Sequence, residues 1–527
     1  MSHKRECKRH WTFSRRRFLK GLGVGAAAVG AAGVVGPLGS GGVFGTAHAA
    51  EDFTLPGRFG RMFHLPPFAP PTDAVRAALV ELGKPGGILD AHDNLAAGPV
   101  ALIVDPALNL NNPNNPTHTA GTTFMGQFLD HDMTFDTTSR LGRPTPPITA
   151  TNARSPAFDL DSVYGDGPAG SPQLYAPNDR IKFRIESGGL FEDLPRNPGN
   201  NAAIIADPRN DENLMIAGLQ AAFLLFHNNA VDLVRSQFPG VSDDEVFPAA
   251  RRLTTWHYHW MIVHEFLPLF VGQAMVDDIL ARGRRFYNPR NDRAFIPVEF
   301  QVAYRFGHSM VRPSYRANFT GVNGGPFFAM VFDPSQEGSP DPDDLRGGAR
   351  AARRFIGWQT FFRFPGFEAD VRPNKRVDTK ISTALFNLPL ATIGGGTPPT
   401  SLPQRNLLRH LTWQLPSGQA IARHIGAPVL GHGDLAELQP ISRSFVTATP
   451  LWYYILKEAQ LMADGLHLGP VGGRIVGEVF VGLLQTDPGS YLSVQPDFTP
   501  TLPTSTGVPQ DFRMIDFLKF AGVDAKR

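Results

Sequence analysis

The sequence predicts a mainly α fold, a large single domain of helices with very few short strands, and three observations carry that prediction. From Asn213 to about Gln237 the apolar residues Ile216, Leu219, Phe223, Phe226, Ala230 and Leu233 alternate spacings of three and four, the stripe of a buried helix. No stretch alternates apolar and polar residues at strand length, and no internal repeat recurs. The chain has 527 residues, enough for a sizeable core, and its 47 prolines and 54 glycines predict long ordered connections between helices.

Taken in order, the chain opens with Ser14-Arg15-Arg16-Arg17-Phe18-Leu19-Lys20, a Gly/Ala/Val-rich apolar stretch and Ala47-His48-Ala49. This reads as a twin-arginine signal peptide over 1–49, cleaved after about Ala49. It predicts use of the twin-arginine export machinery and a periplasmic or extracellular location. That route resembles one for proteins exported already folded, often with a cofactor inside. The leader holds eight Lys/Arg and one Glu, so the formal net charge of +2 leaves 42 basic and 47 acidic side chains in residues 50–527. A mature chain of net charge −5 is expected to bind no nucleic acid. With no later run of about 18 consecutive apolar residues, no stable membrane insertion is expected after signal cleavage. The one cysteine, Cys7, lies in the leader, which excludes a disulfide, a thiolate metal site and a cysteine nucleophile from residues 50–527.

Residues 51–71 read as an extended N-terminal arm lying on the surface. Thr72 or Asp73 caps a predicted helix to about Leu82, and Asn109 to Pro116 reads as a turn-rich loop. A helix is predicted from Thr122 to Phe135, and one long helix from about Asp243 to Arg282, bent near Pro268. Further helices are expected at 297–312, 418–425, 448–463, 469–485 and 510–521, with irregular loops at 334–348 and 394–403. The segment Arg405-Asn406-Leu407-Leu408-Arg409 reads as a loop leading into a helix.

The residues that suggest chemistry lie on these elements. In Gln127-Phe128-Leu129-Asp130-His131-Asp132 successive helical residues are about 100° apart, so Gln127 shares the face of His131 while Asp130 and Asp132 flank it on opposite sides. Arg209 and Glu212, three apart just before the long apolar helix, are placed to share a face. In Arg305-Phe306-Gly307-His308, a glycine near the middle of a predicted helix costs about 1 kcal/mol relative to alanine, which the close approach of a flat ligand would compensate. Oxygen-bearing side chains alternate through Ser155, Asp159 and Asp161. His257, His259 and His264 do not make a metal site, because positions 257 and 259 are about 200° apart on a helix.

Together these segments resemble the animal-type haem peroxidases of the peroxidase-cyclooxygenase superfamily, in a bacterial-like exported form. The motifs Gln-x-x-Asp-His-Asp, Asp-Leu-Asp-Ser-Val-Tyr-Gly, Arg-x-x-Glu, Arg-x-Gly-His and Asn-x-x-Arg follow the family's order, most clearly over 121–420. The resemblance implies a haem peroxidase domain over 50–527 with haem b. His131 is then the distal base, Arg209 the distal arginine and Gln127 their neighbour, with His308 on the haem iron and Asn406 its partner. Arg305 joins the cofactor-binding set, and Asp130 and Glu212 match carboxylates that ester-link the haem. Asp132, Ser155, the Ala157 carbonyl, Asp159 and Asp161 match a calcium site, whose hard oxygen ligands suit that ion.

The activity implied is reduction of hydrogen peroxide via a ferryl intermediate, with oxidation of small organic or halide donors. A neutral His131, with a pKa near roughly 6.5 if unperturbed, would take up and return the peroxide proton while cationic Arg209 stabilises developing negative charge. Asn213 stands where myeloperoxidase has a sulfonium-forming methionine, so that third haem link is absent. Tyr304 is offset about 100° from the position of the cyclooxygenase radical tyrosine. It keeps open a haem fatty-acid dioxygenase of the same superfamily, and a non-catalytic calcium-stabilised binding protein is the further alternative.

Overall fold

The apolar stripe forms as predicted. In a computed structural model that describes residues 57–526, apart from 188–190, 290–292, 321–323, 349–352 and 394–395, Leu214–Gln237 is a single helix. The Asn213 side chain caps it by accepting from the Ile216 N–H at 3.0 Å. The leader and residues 51–56 of the arm lie outside the described residues. All described residues belong to one compact unit, Thr54–Arg527.

Around the Leu214–Gln237 helix pack Asp243–Met261, Met514–Ala521 and Ala120–Met133. Ring pairs fix the contacts: Phe128 stacks on Phe223 with centroids 4.4 Å apart, and Phe226 on Phe517 at 4.2 Å. Each such phenylalanine contributes about 1.5–3 kcal/mol through burial. The helix is long and apolar enough to cross a membrane, but 83% of its most apolar window is buried inside the fold. The sheets among the described residues are all two-stranded, so the fold is mainly α as predicted.

Several boundaries match the sequence reading. Asp73–Leu82 is a helix capped by Thr72, Gly418–Ile425, Leu451–Met462 and Met514–Ala521 are helices within the predicted spans, and Pro470–Thr486 runs one residue past its predicted end. Other expectations are corrected. The span from Asp243 to Arg282 is not one bent helix: Asp243–Met261 passes into a π-helical turn, Ile262–Phe266, then Leu267–Val271, and breaks at Gly272, whose φ of +83° no helix accommodates. Gln273–Arg282 then starts afresh. Part of the predicted loop before Ala120 is a strand, Asn114–Thr119, paired antiparallel with Pro373–Lys375. Gly98–Val104 is a helix that the sequence reading did not predict.

The arm is the largest correction. Phe59, Phe63 and Phe68 are buried core residues, not surface ones. Phe59 and Gly60 pair in parallel with Ile296 and Pro297, the Phe59 ring lies 5.5 Å from Trp413, and the Phe68 N–H donates to the Leu415 carbonyl at 2.8 Å. Prolines break any helical or strand periodicity in the arm's sequence, so its aromatic rings fill gaps between elements whose own pattern does not announce them.

Candidate active site

The Ala120–Met133 helix brings Gln127, Asp130 and His131 to the wall of a cavity of about 970 Å³. Arg209 and Glu212 join them from the turn before the long helix, and Tyr304, Arg305, Gly307 and His308 face the same space. The His308 segment is a correction to the predicted helix middle: Val298–Ala303 is α-helical, but Tyr304–Met310 tightens into a 3-10 turn. Arg405 and Arg409 complete the wall from Leu402–Trp413, a helix and not the loop the sequence suggested.

Buried polar groups orient His131. Asn210, fully buried, donates from Nδ2 to Gln220 Oε1 at 2.8 Å, which leaves Asn210 Oδ1 to accept from His131 Nδ1–H at 2.9 Å. His131 Nε2 then keeps its lone pair and lies 3.6 Å from Glu212 Oε1. Burial, reinforced by the Arg209 charge, pushes His131 down to about 3, which corrects the expectation of an unperturbed imidazole. Glu212 accepts from Gln127 Nε2, and burial pushes its carboxyl up to about 7 against the pull of Arg209. Burial also raises Asp130, opposed by Arg305, Arg209 and Arg409.

Arg209 is held on three sides. It donates from Nη2 to the His131 carbonyl at 3.0 Å and to Asp207 Oδ2 at 2.7 Å, and its guanidinium lies 4.2 Å from the Phe135 ring centroid. Burial pushes the Asp207 carboxyl up, but the hydrogen bonds and charge of Arg209 outweigh it and hold the group below the ordinary carboxylate range. Neither Asp207 nor Asn210 stood out in the sequence. The Asp-x-Arg spacing was a readable signal for the first, whereas nothing local marks the second.

Across the cavity, Asn406 Nδ2 and His308 Nδ1 are 2.8 Å apart, and Asn406 Oδ1 is buried without a partner among the described residues. Turning the amide over, an assignment that atom positions leave open, lets Oδ1 accept from Nδ1–H and leaves the Nε2 lone pair for a metal. Burial first, then the charges of Arg305 and Arg409, push His308 down to about 3, so its imidazole is neutral.

Two further observations fit this cavity to haem. Gly307 lines it without a positive φ, and a Cβ built there would meet nothing within 4 Å, so neither backbone nor protein packing requires a glycine. A flat ring against that backbone would. Among the described residues, Arg305 and Arg409 have no carboxylate within ion-pair distance, and burial pushes both guanidiniums down, against the pull of Asp130 at Arg305 and together with the Arg305 and Arg405 charges at Arg409. Such cations match the carboxylate side chains of a porphyrin.

Asp132 points away to a second cluster. Its carboxylate, the Asp159 carboxylate and the Asp161 carboxylate have oxygens within 4.8 Å of one another. Asp132 is fully buried and accepts from Ser162 Oγ at 2.9 Å, Tyr258 Oη at 3.1 Å and Leu160 N at 3.2 Å, the last from a residue in the left-handed region with φ of +59°. Ser155 Oγ donates to Asp159 Oδ1 at 2.7 Å, and Ala157 lies on the loop between them. Burial and the two like charges raise Asp132 well above the ordinary range. A span of 4.8 Å equals about twice a calcium–oxygen distance, so one such ion fits between these carboxylates. The histidines of 257–264 are used otherwise: His259 Nε2 donates to the Phe158 carbonyl at 2.7 Å and His257 Nδ1 to the Leu253 carbonyl at 2.7 Å.

The family model for animal haem peroxidase matches residues 137–336, a stretch that holds the 155–161 loop, Arg209, Glu212 and His308. The His131 helix and Asn406 lie outside that stretch, and the fold brings them to it. The human probable oxidoreductase PXDNL is 25% identical over 235 residues, 39% of this chain and 16% of the relative. Peroxidase A from Dictyostelium discoideum superposes with a TM-score of 0.54 at 17% identity, covering 78% of this chain and 87% of that one. Residues 137–336 therefore carry the likeness to animal haem peroxidase in sequence, and the chain shares the fold of that solved peroxidase.

A second solved structure shares the fold. The Oryza sativa fatty acid alpha-dioxygenase with palmitic acid superposes with a TM-score of 0.50 at 13% identity, over 78% of this chain and 74% of that one. The chain spans at most a quarter of the length of the first curated relatives it matches.

Proposed function

We propose that this chain is a haem peroxidase that reduces hydrogen peroxide and oxidises small organic or halide donors in the 970 Å³ cavity. The observation that carries the reading is a neutral His131, tautomer-fixed by Asn210 and beside Arg209, in the same cavity as a neutral His308 backed by Asn406. Haem, when bound, supplies the electrons for O–O cleavage and the group that donors reduce. His308 would hold its iron, Arg305 and Arg409 its carboxylates, and Gly307 the face of the ring. His131 Nε2 accepts a proton from one peroxide oxygen and returns it to the other, so that oxygen leaves as water. Arg209, its charge partly balanced by Asp207, stabilises negative charge on the departing oxygen. The Asp132, Asp159 and Asp161 cluster, with Ser155 and the Ala157 carbonyl, holds calcium.

The test is absorption spectroscopy of the purified protein with His308→Ala beside it. The parent is expected to show a Soret band that changes with one equivalent of peroxide, and His308→Ala to lose or loosen haem. A parent without a Soret band would overturn the reading. Asp130 and Glu212, both on the cavity wall, are expected to ester-link the haem after exposure to peroxide. Acid–acetone should then leave haem on the parent and extract it from the Asp130→Asn, Glu212→Gln double variant, and full extraction from the parent removes the covalent link alone.

A second reading, a fatty-acid dioxygenase, is favoured by one observation, that Tyr304 lines the cavity. Its phenol donates to the Gly126 carbonyl at 2.9 Å and its ring packs 5.1 Å from Phe300, so a helix backbone and a neighbouring ring hold it. Oxygen uptake with a long-chain fatty acid separates the two.

A further inference from the structure

Outside the residues that line the cavity, Tyr491 is 1% exposed, and its phenol lies 3.3 Å from His264 Nε2, the long end of hydrogen-bond distance. The His264 ring is half-buried and stacks on Trp260, centroids 3.7 Å apart and 23° from parallel. Trp260 is buried, and its Nε1–H has no partner among the described residues. One helical turn earlier the half-buried Trp256 packs on Phe498 at 5.1 Å, and Phe498 lies 5.4 Å from Tyr491. Burial, then the charge of Arg513, hold His264 neutral with a pKa of about 4, so Nε2 keeps the lone pair that the Tyr491 hydroxyl faces.

This group is joined to the cavity by a continuous run of rings. From Tyr304 on the cavity wall the centroid steps are 5.3 Å to Phe480, 4.9 Å to Phe158, 6.2 Å to Tyr258, 6.0 Å to His259 and 6.4 Å to Tyr491. The π-helical turn faces both ways, placing Phe266 on the cavity wall and His264 on Tyr491. A buried phenol is hard to oxidise unless its proton leaves with the electron, because a charged radical would be stranded in an apolar medium. The imidazole beside Tyr491 removes that obstacle.

We propose that Tyr491, paired with His264 and flanked by Trp260 and Trp256, is a second redox site that oxidises bulky phenolic donors at the protein surface. The proposal rests on the haem peroxidase reading, which supplies the oxidant. Haem, when bound and oxidised by peroxide, would take the one electron that Tyr491 gives up through the ring series. The O–H bond breaks and the proton moves to His264 Nε2, giving a neutral phenoxyl radical beside an imidazolium. A donor phenol at the Trp256 surface then returns one electron, His264 returns the proton, and the donor leaves oxidised by one electron after losing its own proton to water.

The test pairs one head group at two sizes, free tyramine and tyramine coupled to dextran, with electron paramagnetic resonance of samples frozen after one equivalent of peroxide. In the holoenzyme a tyrosyl signal that narrows with ring-deuterated tyrosine is expected, and Tyr491→Phe should abolish it. That variant should slow oxidation of the dextran-linked phenol about tenfold and leave free tyramine unchanged. His264→Gln, which keeps the ring of Tyr491, should weaken the same signal and the same bulky-donor rate. An unchanged radical signal and an unchanged ratio of the two donor rates in Tyr491→Phe, with a parent haem spectrum that responds to peroxide, overturn this site alone. A parent without haem absorption overturns the site and the peroxidase reading together.

Discussion

Replacing His131 by alanine is expected to slow peroxide consumption by roughly 10²- to 10⁴-fold while haem stays bound, because the change removes a proton acceptor and leaves His308 untouched. Asn210 Oδ1 then loses its buried donor, which costs about 1–3 kcal/mol of stability unless water enters. Activity therefore falls far more than stability, and thermal unfolding run beside the kinetics tells the two apart. The pH profile is the sharper check. A base functions only while deprotonated, and burial holds His131 down to about 3, so the parent rate should stay level through mildly acidic solution and fall only as pH approaches that value. A fall centred in the ordinary histidine range would mean that water reaches the ring and that its environment is not the dry one described. Equal haem loss in His131→Ala and His308→Ala would reverse or remove the two assignments.

Removal of calcium is expected to disturb the site from behind. Asp132 follows His131 directly, so the carboxylate that joins Asp159 and Asp161 and the imidazole that faces the cavity move as one helical turn. Without a cation, three carboxylates with oxygens within 4.8 Å of one another repel, and burial denies Asp132 the screening of water. Calcium at about 1,000 times its Kd would stabilise the folded protein by about 4 kcal/mol. Chelation should lower the unfolding midpoint and reduce peroxide reactivity before global unfolding, and adding calcium back should restore both. Asp161→Ala, which touches no cavity wall, should weaken calcium binding and lower activity through the position of His131. If elemental analysis finds no calcium and Asp161→Ala matches the parent in midpoint and rate, the loop is a turn with no hold on the site.

The parts of this fold legible in the sequence are those whose cause is local. The Leu214–Gln237 helix announces itself by spacing, and Thr72 is a capping residue followed at once by its helix. The Leu402–Trp413 helix was missed because Gln, Arg, Asn and His dilute its apolar stripe, although Ser401 accepting from the Gln404 N–H is a cap signature open to reading. The 3-10 turn at His308 changes which side chains share a face without changing the order of residues. Gln127, Asp130, His131, Arg209, Glu212, Arg305 and His308 all reach one cavity, as the motifs suggested. Of their supports, Asn406, which meets His308 across 98 residues, was legible only through the family resemblance, and Asn210, which meets His131 across 79, was not legible at all, because no periodicity reaches so far.

The burial of the arm bears on the order in which the chain is assembled. Met62 donates to Glu299 across 237 residues, and Arg61 to the Trp413 carbonyl across 352. Contacts at such separation form only after long loops have closed, and the entropy of that closure slows folding more than it weakens the finished structure. During synthesis Phe59, Phe63 and Phe68 leave the ribosome long before Trp413 and Leu415 exist to cover them. These early aromatic residues are therefore among the last to be enclosed, and until then they are exposed apolar surface on a growing chain, the kind that chaperones hold and aggregation consumes.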